Sequence, residues 1–117
     1  MNTNNKNYKV KKGDIFWCSS ADKMNFQKKT RPFLVIQDGS KLEPNVLCVA
    51  LTSNLNMRRG NVVLNDFALR KPSIALCNHI YKINKNEVHG YIVTISRAEL
   101  RKVEIKLKLN QPRVSNY

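Results

Sequence analysis

Two apolar runs bounded by turn residues organise the first half of the chain. Phe33-Leu34-Val35-Ile36 follows Arg31-Pro32 and stops at Gln37-Asp38-Gly39. Val46-Leu47-Cys48-Val49-Ala50-Leu51 stops at Thr52-Ser53. Short continuous apolar runs between turn signals predict core strands. Asp14 to Ser19 mixes aromatic and β-branched residues and predicts an earlier strand. Residues 20–30 between them are polar, carry Lys23, Lys28 and Lys29, and show no periodicity, so a mobile loop is expected there. Further short strands are expected at 61–64, 73–76, 80–83 and 91–95, with one helical turn over 84–88 that ends at Gly90.

The last third carries two conflicting patterns. Ser96-Arg97-Ala98-Glu99 reads as a capping box, in which hydroxyl and carboxylate each satisfy an amide at a helix start. Leu100, Val103 and Leu107 then fall on one helical face. Val103, Ile105, Leu107 and Leu109 also alternate with charged residues, which is a strand pattern. The cap favours a helix. Residues 1–9 are rich in Asn and predict a polar, poorly ordered arm, and 111–117 predict a frayed polar tail. Between them, 10–110 reads as one α+β domain of several short strands and a terminal helix.

Composition narrows the classes. The 117 residues suffice for one small core, and 42% hydrophobic content is that of a globular chain. The formal net charge is +13, which favours polyanionic partners: nucleic acid, an acidic protein or an anionic membrane. The basic residues are spread along the chain, so they decorate a folded surface. No apolar stretch approaches membrane-spanning length and no signal peptide is evident, so a cytoplasmic protein without a membrane partner is expected. The three cysteines, Cys18, Cys48 and Cys77, sit in or beside apolar runs and read as buried, reduced thiols. A zinc site from Cys77, His79 and His89 is disfavoured, because Cys77 and His79 are too close for the usual ligand spacing. No metal and no cofactor are expected.

The chemistry concentrates at two strand ends. Arg31 stands at the mouth of one apolar run, and Thr52 and Ser53 close the other. If the two strands are antiparallel neighbours, guanidinium and hydroxyls share one end of the sheet and form a phosphate site. The residues alone leave other readings open. Arg31 can serve a surface salt bridge, and Thr52 and Ser53 can cap a turn.

Five segments in order bear a resemblance to the MazF/PemK toxin family. They are Lys12-Gly13-Asp14-Ile15-Phe16, Arg31-Pro32-Phe33-Leu34-Val35-Ile36-Gln37, Val49-Ala50-Leu51-Thr52-Ser53, Ser73-Ile74-Ala75-Leu76-Cys77-Asn78-His79-Ile80 and Ile83-Asn84-Lys85. The resemblance covers roughly residues 10–109. It implies a small SH3-like twisted β-barrel with a C-terminal helix, the CcdB/MazF/PemK-like architecture. It also implies a metal-independent endoribonuclease that cleaves single-stranded RNA at a short sequence, with a homodimeric state and an acidic antitoxin protein as partner.

The site residues implied by the resemblance are Arg31, at the scissile phosphate, and Thr52, which contacts that phosphate, with Ser53 beside it on the RNA. The chain departs from the family elsewhere. The PemK-type base and acid align with Asn78 and Leu76, so neither transfers, and Asn78 is kept only as an RNA contact. His79 stands where MazF-type members commonly have Gln, and it is a candidate replacement base, because imidazole titrates near neutrality. Before Arg31 the family's Glu-Gln pair reads Phe26-Gln27. Phe26 can stack on a base, and Gln27, Lys28 and Lys29 suit an RNA track. Two further readings remain: a non-catalytic RNA-binding barrel, and a CcdB-like gyrase poison, which the polar C-terminus disfavours.

Overall fold

The two apolar runs become neighbouring antiparallel strands. A computed structural model describes residues 10–22, 27–37, 44–54, 56, 59–65 and 69–117, with the backbone alone for 19–22 and 27–30. The elements are β1 (Asp14–Asp22), β2 (Gln27–Val35), β3 (Asn45–Thr52), β4 (Val62–Leu64), β5 (Ser73–Ala75), β6 (His79–Asn84), a 3₁₀ turn (Lys85–Glu87), β7 (Val88–Thr94), α1 (Arg97–Asn110) and β8 (Arg113–Asn116). The expected N-terminal arm at 1–9 and the Asp38-Gly39 turn lie outside the described residues.

The reason β3 reads as an unbroken apolar run is that both its faces are covered. Val49 and Leu51 enter one cluster with Ile15, Leu34, Leu100 and Val103. Val46, Cys48 and Ala50 enter a second with Phe16, Phe33 and Ile83. Alternate side chains therefore leave water on opposite faces, and the period-two pattern disappears. β3 is also the hub of the sheet. It pairs β2 on one side, and on the other it pairs β6 through 45–48 and β5 through 51–52. The main path runs β4-β5-β3-β2-β1-β7, with β8 on β6. This is an α+β fold with one C-terminal helix. The sheet branches at β3, and among the described residues no ladder joins β4 to β7.

The helix prevails over the alternating pattern for a visible reason. Leu100 and Val103 are buried and Leu107 packs on the first cluster, whereas Ile105 and Leu109 are 48% and 72% exposed. A strand would have had to bury all of 103, 105, 107 and 109 on one face. Ser96 Oγ accepts from the Glu99 N–H at 3.3 Å, which fixes the start. Gln111 in the left-handed region (φ 47°) ends it. Among the described residues no helix is long and apolar enough to cross a membrane.

Three expectations change. The expected loop over 20–30 is occupied in part by strand: β1 runs on to Asp22 and β2 starts at Gln27, paired through Asp22↔Gln27. Gly90 does not end the turn at 85–87 but lies inside β7. The polar C-terminus is not frayed. β8 pairs parallel to β6, the Tyr117 N–H donates to the Lys82 carbonyl at 3.1 Å, and the Tyr117 ring meets Phe33 edge-on at 4.8 Å. One aromatic anchor holds a strand that is otherwise polar because it lies at a sheet edge.

The three cysteines are free and buried. Burial pushes the Cys18 thiol up to about 12 and Cys77 up to about 11, and raises Cys48 further. Among the described residues no group of three His, Cys, Asp or Glu is placed to hold a metal ion.

Candidate functional site

β2 and β5 both run antiparallel to β3, so both begin at the end where β3 stops. The β2–β3 ladder pairs Phe33 with Ala50, and the same register carried two steps outward sets position 31 across from position 52. The ladder itself ends at Phe33, one residue after Pro32, whose ring nitrogen has no hydrogen to donate. On the other flank Thr52 pairs with Ile74. The hydroxyl-bearing end of the central strand thus lies between two basic segments that each carry a proline: Arg31-Pro32 inside β2, where its ladder with β3 stops, and Arg70-Lys71-Pro72 just before β5.

An open groove of about 1030 Å³ occupies this end of the sheet. Its described lining holds three cations, Arg31, Arg70 and Lys71, and a polar series, Thr52, Ser53, Asn54, Asn56, Asn61 and Ser73. Ile15, Trp17, Leu76, Ile92 and Val93 form its apolar wall. Trp17 and Ile92 remain 43% and 38% exposed. Among the described residues the ion pairs Lys12–Glu104 and Lys102–Glu99 involve none of the three groove cations. No carboxylate appears in the described lining, so its charge is positive throughout.

The polar rim is preset by its own backbone. Thr52 Oγ1 accepts from the Asn54 N–H at 3.1 Å, and Asn54 Oδ1 accepts from the Asn56 N–H at 3.1 Å. Both are side-chain turns that fix the loop after β3. Because the Thr52 hydroxyl accepts in that turn, its own proton is left to donate to an anion. The turn-capping reading of Thr52 and the phosphate reading are therefore compatible.

Of the residues singled out in the sequence, Arg31, Thr52 and Ser53 meet in the groove. Asn78 and His79 are not in its lining. Asn78 Nδ2 donates to the Arg59 carbonyl at 3.0 Å and to Asn61 Oδ1 at 3.4 Å, and Asn61 Oδ1 also accepts from the Cys77 N–H at 3.2 Å. This network ties the 59–61 turn to the 77–78 turn. A side chain at Gly60 (φ +93°) would bring its Cβ within 2.5 Å of Asn78 Oδ1, so the network requires glycine there. His79 opens β6, two residues before Tyr81, where the β3–β6 ladder ends at Cys48. Its Nε2 is 2.9 Å from Ser115 Oγ, and its ring stacks on Tyr81 with centroids 4.5 Å apart.

Gln27, Lys28 and Lys29 lie on the first half of β2, described as backbone. There β2 pairs with β1 alone, so a two-stranded ribbon leads away from Arg31. Phe26 lies outside the described residues. Sequence reasoning missed Trp17, Arg70 and Lys71 as groove residues. Arg70-Lys71-Pro72 shares the basic–proline pairing of Arg31-Pro32, but its place in the groove depends on β5 returning to β3.

The comparisons agree with this geometry. No curated protein sequence matches the chain. A solved MazE–MazF complex from Deinococcus radiodurans superposes with a TM-score of 0.75 at 17% identity, covering 88% of this chain and 96% of that one. An endoribonuclease in complex with its cognate antitoxin from a mycobacterial species superposes with a TM-score of 0.72 at 16% identity, covering 87% and 94%. A Mycobacterium tuberculosis MazF toxin gives 0.65 at 15% identity, covering 84% and 95%. At such identities these likenesses speak for the fold. The family itself is fixed by a family model for the PemK-like, MazF-like toxin of type II toxin–antitoxin systems, which matches residues 11–110 and spans β1 through α1; this chain belongs to that family.

Proposed function

We propose that the chain is an endoribonuclease toxin that cuts single-stranded RNA by attack of the ribose 2′-OH on the adjacent phosphate. The products are a 2′,3′-cyclic phosphate and a 5′-OH end. The observation that carries this reading is the antiparallel β2–β3 register, which brings Arg31 and the Thr52 hydroxyl to one cationic groove. In-line attack gathers negative charge on the phosphorane, where a fixed guanidinium has its largest effect. Thr52, held by its turn with Asn54, donates to a phosphate oxygen and orients it. The described lining offers cations, amides and hydroxyls, a set that suits an anion and gives a divalent cation no carboxylate.

His79 is the proposed base. Its Nε2 is engaged by Ser115, so Nδ1 is the nitrogen left to take the proton. With the ring donating from Nε2 to Ser115 Oγ, Nδ1 is the unprotonated acceptor. The apolar wall at Trp17 and Ile92 offers a stacking surface for a nucleobase, and Gln27, Lys28 and Lys29, on the first half of β2, are the proposed further RNA contacts.

The chain acts in the cytoplasm as a homodimer, and an acidic antitoxin covers the positively charged groove. The exposed Ile105 and Leu109 on the outer face of α1 support pairing of two copies through the helix. Light scattering at micromolar concentration is expected to give about twice the 13.5 kDa chain mass. The decisive experiment for the activity is incubation of the pure protein with a long RNA in EDTA, followed by mapping of the new ends. Recurrent cuts at one short sequence, with cyclic phosphate and 5′-OH termini, are expected. RNA bound but left intact would assign the chain to the non-catalytic alternative.

A further inference from the structure

A single scissile phosphate occupies Arg31 and Thr52, yet the groove carries two more cations that this step does not use. Arg70 and Lys71 are exposed, line the groove, and stand immediately before β5. Their position follows from the topology. β3 lies between β2 and β5, so Arg31 on β2 and the Arg70-Lys71 pair before β5 flank it, separated by two strand spacings, roughly 10 Å across the sheet. Pro72 fixes the chain direction just after the pair, as Pro32 does after Arg31. The Thr52–Ser53 end of β3 sits between them. Two cationic points on either side of a hydroxyl pair match two separate phosphates of one strand better than one phosphate held twice.

We propose that Arg70 and Lys71 form a second phosphate subsite, which grips the RNA backbone beyond the phosphate held at Arg31 and Thr52. The substrate then crosses the strands of the sheet. Its direction runs from the apolar wall at Trp17 and Ile92, past Arg31 and Thr52, to the cationic mouth of β5. Arg70 and Lys71 contact phosphate but not the reacting atoms. They add affinity without adding base preference. This inference rests on the ribonuclease reading for its substrate, but its test is separable from it.

The test compares the wild type, Arg70→Ala with Lys71→Ala, and a control pair, Arg101→Ala with Lys108→Ala, that removes the same charge from the exposed face of α1. Fluorescence anisotropy with a mixed-sequence single-stranded RNA of about 12 nucleotides measures binding against salt. Each lost phosphate contact lowers the log–log slope by about 0.7. The groove pair is expected to lose at least that much and the α1 pair essentially none. In cleavage assays the groove variant is expected to lose about tenfold in kcat/KM, carried by KM. Arg70→Lys with Lys71→Arg is expected to restore the slope, because charge is kept at both positions. An unchanged slope in the groove variant overturns the subsite, as does an equal loss in the α1 control. A fall in kcat at constant KM would instead place the pair at the reacting phosphate. If the wild type cuts no RNA, the ribonuclease reading fails while the slope comparison still decides the subsite.

Discussion

Truncating Tyr117 to alanine is expected to destabilise the protein by about 2 kcal/mol, far more than a residue in a polar tail would. The Tyr117 ring meets Phe33 at 4.8 Å and 67° and Tyr81 at 5.6 Å and 79°, both edge-to-face. Each such pair contributes about 0.5–1.5 kcal/mol beyond area burial. Deleting a fully buried large aromatic costs about 3–5 kcal/mol. Tyr117 is only partly buried and follows an edge strand, so a cost below that range, about 2 kcal/mol, is expected. The backbone bond from Tyr117 N–H to Lys82 survives the substitution, and Phe33 loses its cover. For a domain of this size 1 kcal/mol shifts the melting midpoint by about 4 °C, so a fall of about 8 °C is expected. Tyr117→Phe keeps both ring contacts and is expected to stay within about 0.5 kcal/mol. Urea and thermal unfolding at one fixed protein concentration measure both variants, since dimerisation makes the midpoint concentration-dependent. A midpoint within 2 °C of wild type for Tyr117→Ala, at about that precision, would refute the anchoring of β8.

Three further outcomes address the site. Arg31→Ala is expected to lower single-turnover cleavage by about 100- to 1,000-fold with an unchanged melting midpoint, since the side chain is exposed; cleavage at the wild-type rate would remove Arg31 from the reaction. Thr52→Val keeps the side-chain volume but loses both the turn with Asn54 and the donated proton, so cleavage is expected to drop at least about tenfold, and Thr52→Ser to recover most of it. His79→Gln is expected to flatten the pH–rate profile. The neutral imidazole is the active form, so the wild-type rate rises as pH rises and the variant loses that limb, while an unaltered profile would reduce His79 to its contacts with Tyr81 and Ser115.

What could be read in the sequence was whatever packing writes into it. The β2 and β3 runs are apolar because both faces of β3 are covered, and the Ser96 cap is a local hydrogen bond that no tertiary contact is needed to predict. The meeting of Arg31 and Thr52 in one groove was legible because β3 ends at the Thr52-Ser53 turn and the β2–β3 ladder stops beside Pro32. The β1–β2 ribbon was not, because the sequence of 20–30 carries no apolar period, and beyond Cys18 the two strands pair, among the described residues, only with each other. β8 was hidden because its strand pairing with β6 and the Ser115–His79 contact leave no apolar period in the sequence, and Tyr117 is its one aromatic anchor. Arg70 and Lys71 could not be placed without knowing that β5 returns to β3 beside Thr52. Asn78, two residues after Leu76, is read from the sequence as an RNA contact. The turn at 77–78 and the Asn61 bond to the Cys77 amide draw Asn78 into a structural network, while Leu76 stays in the groove.

The three buried thiols give the protein a built-in clock for its own opening. Cys77 lies in the cluster under α1, whereas Cys18 and Cys48 lie in the cluster under Tyr117. The thiolate is the reactive form, and a thiol held at about 12, like Cys18, is ionised on the order of one part in ten thousand at about pH 8. Alkylation at neutral pH therefore waits for the chain to open, and its rate reports that opening. Because the thiols are divided between the two clusters, the order in which they become labelled tells which half of the molecule loosens first. Loss of β8 would advance Cys18 and Cys48 relative to Cys77, and loosening of α1 would reverse that order.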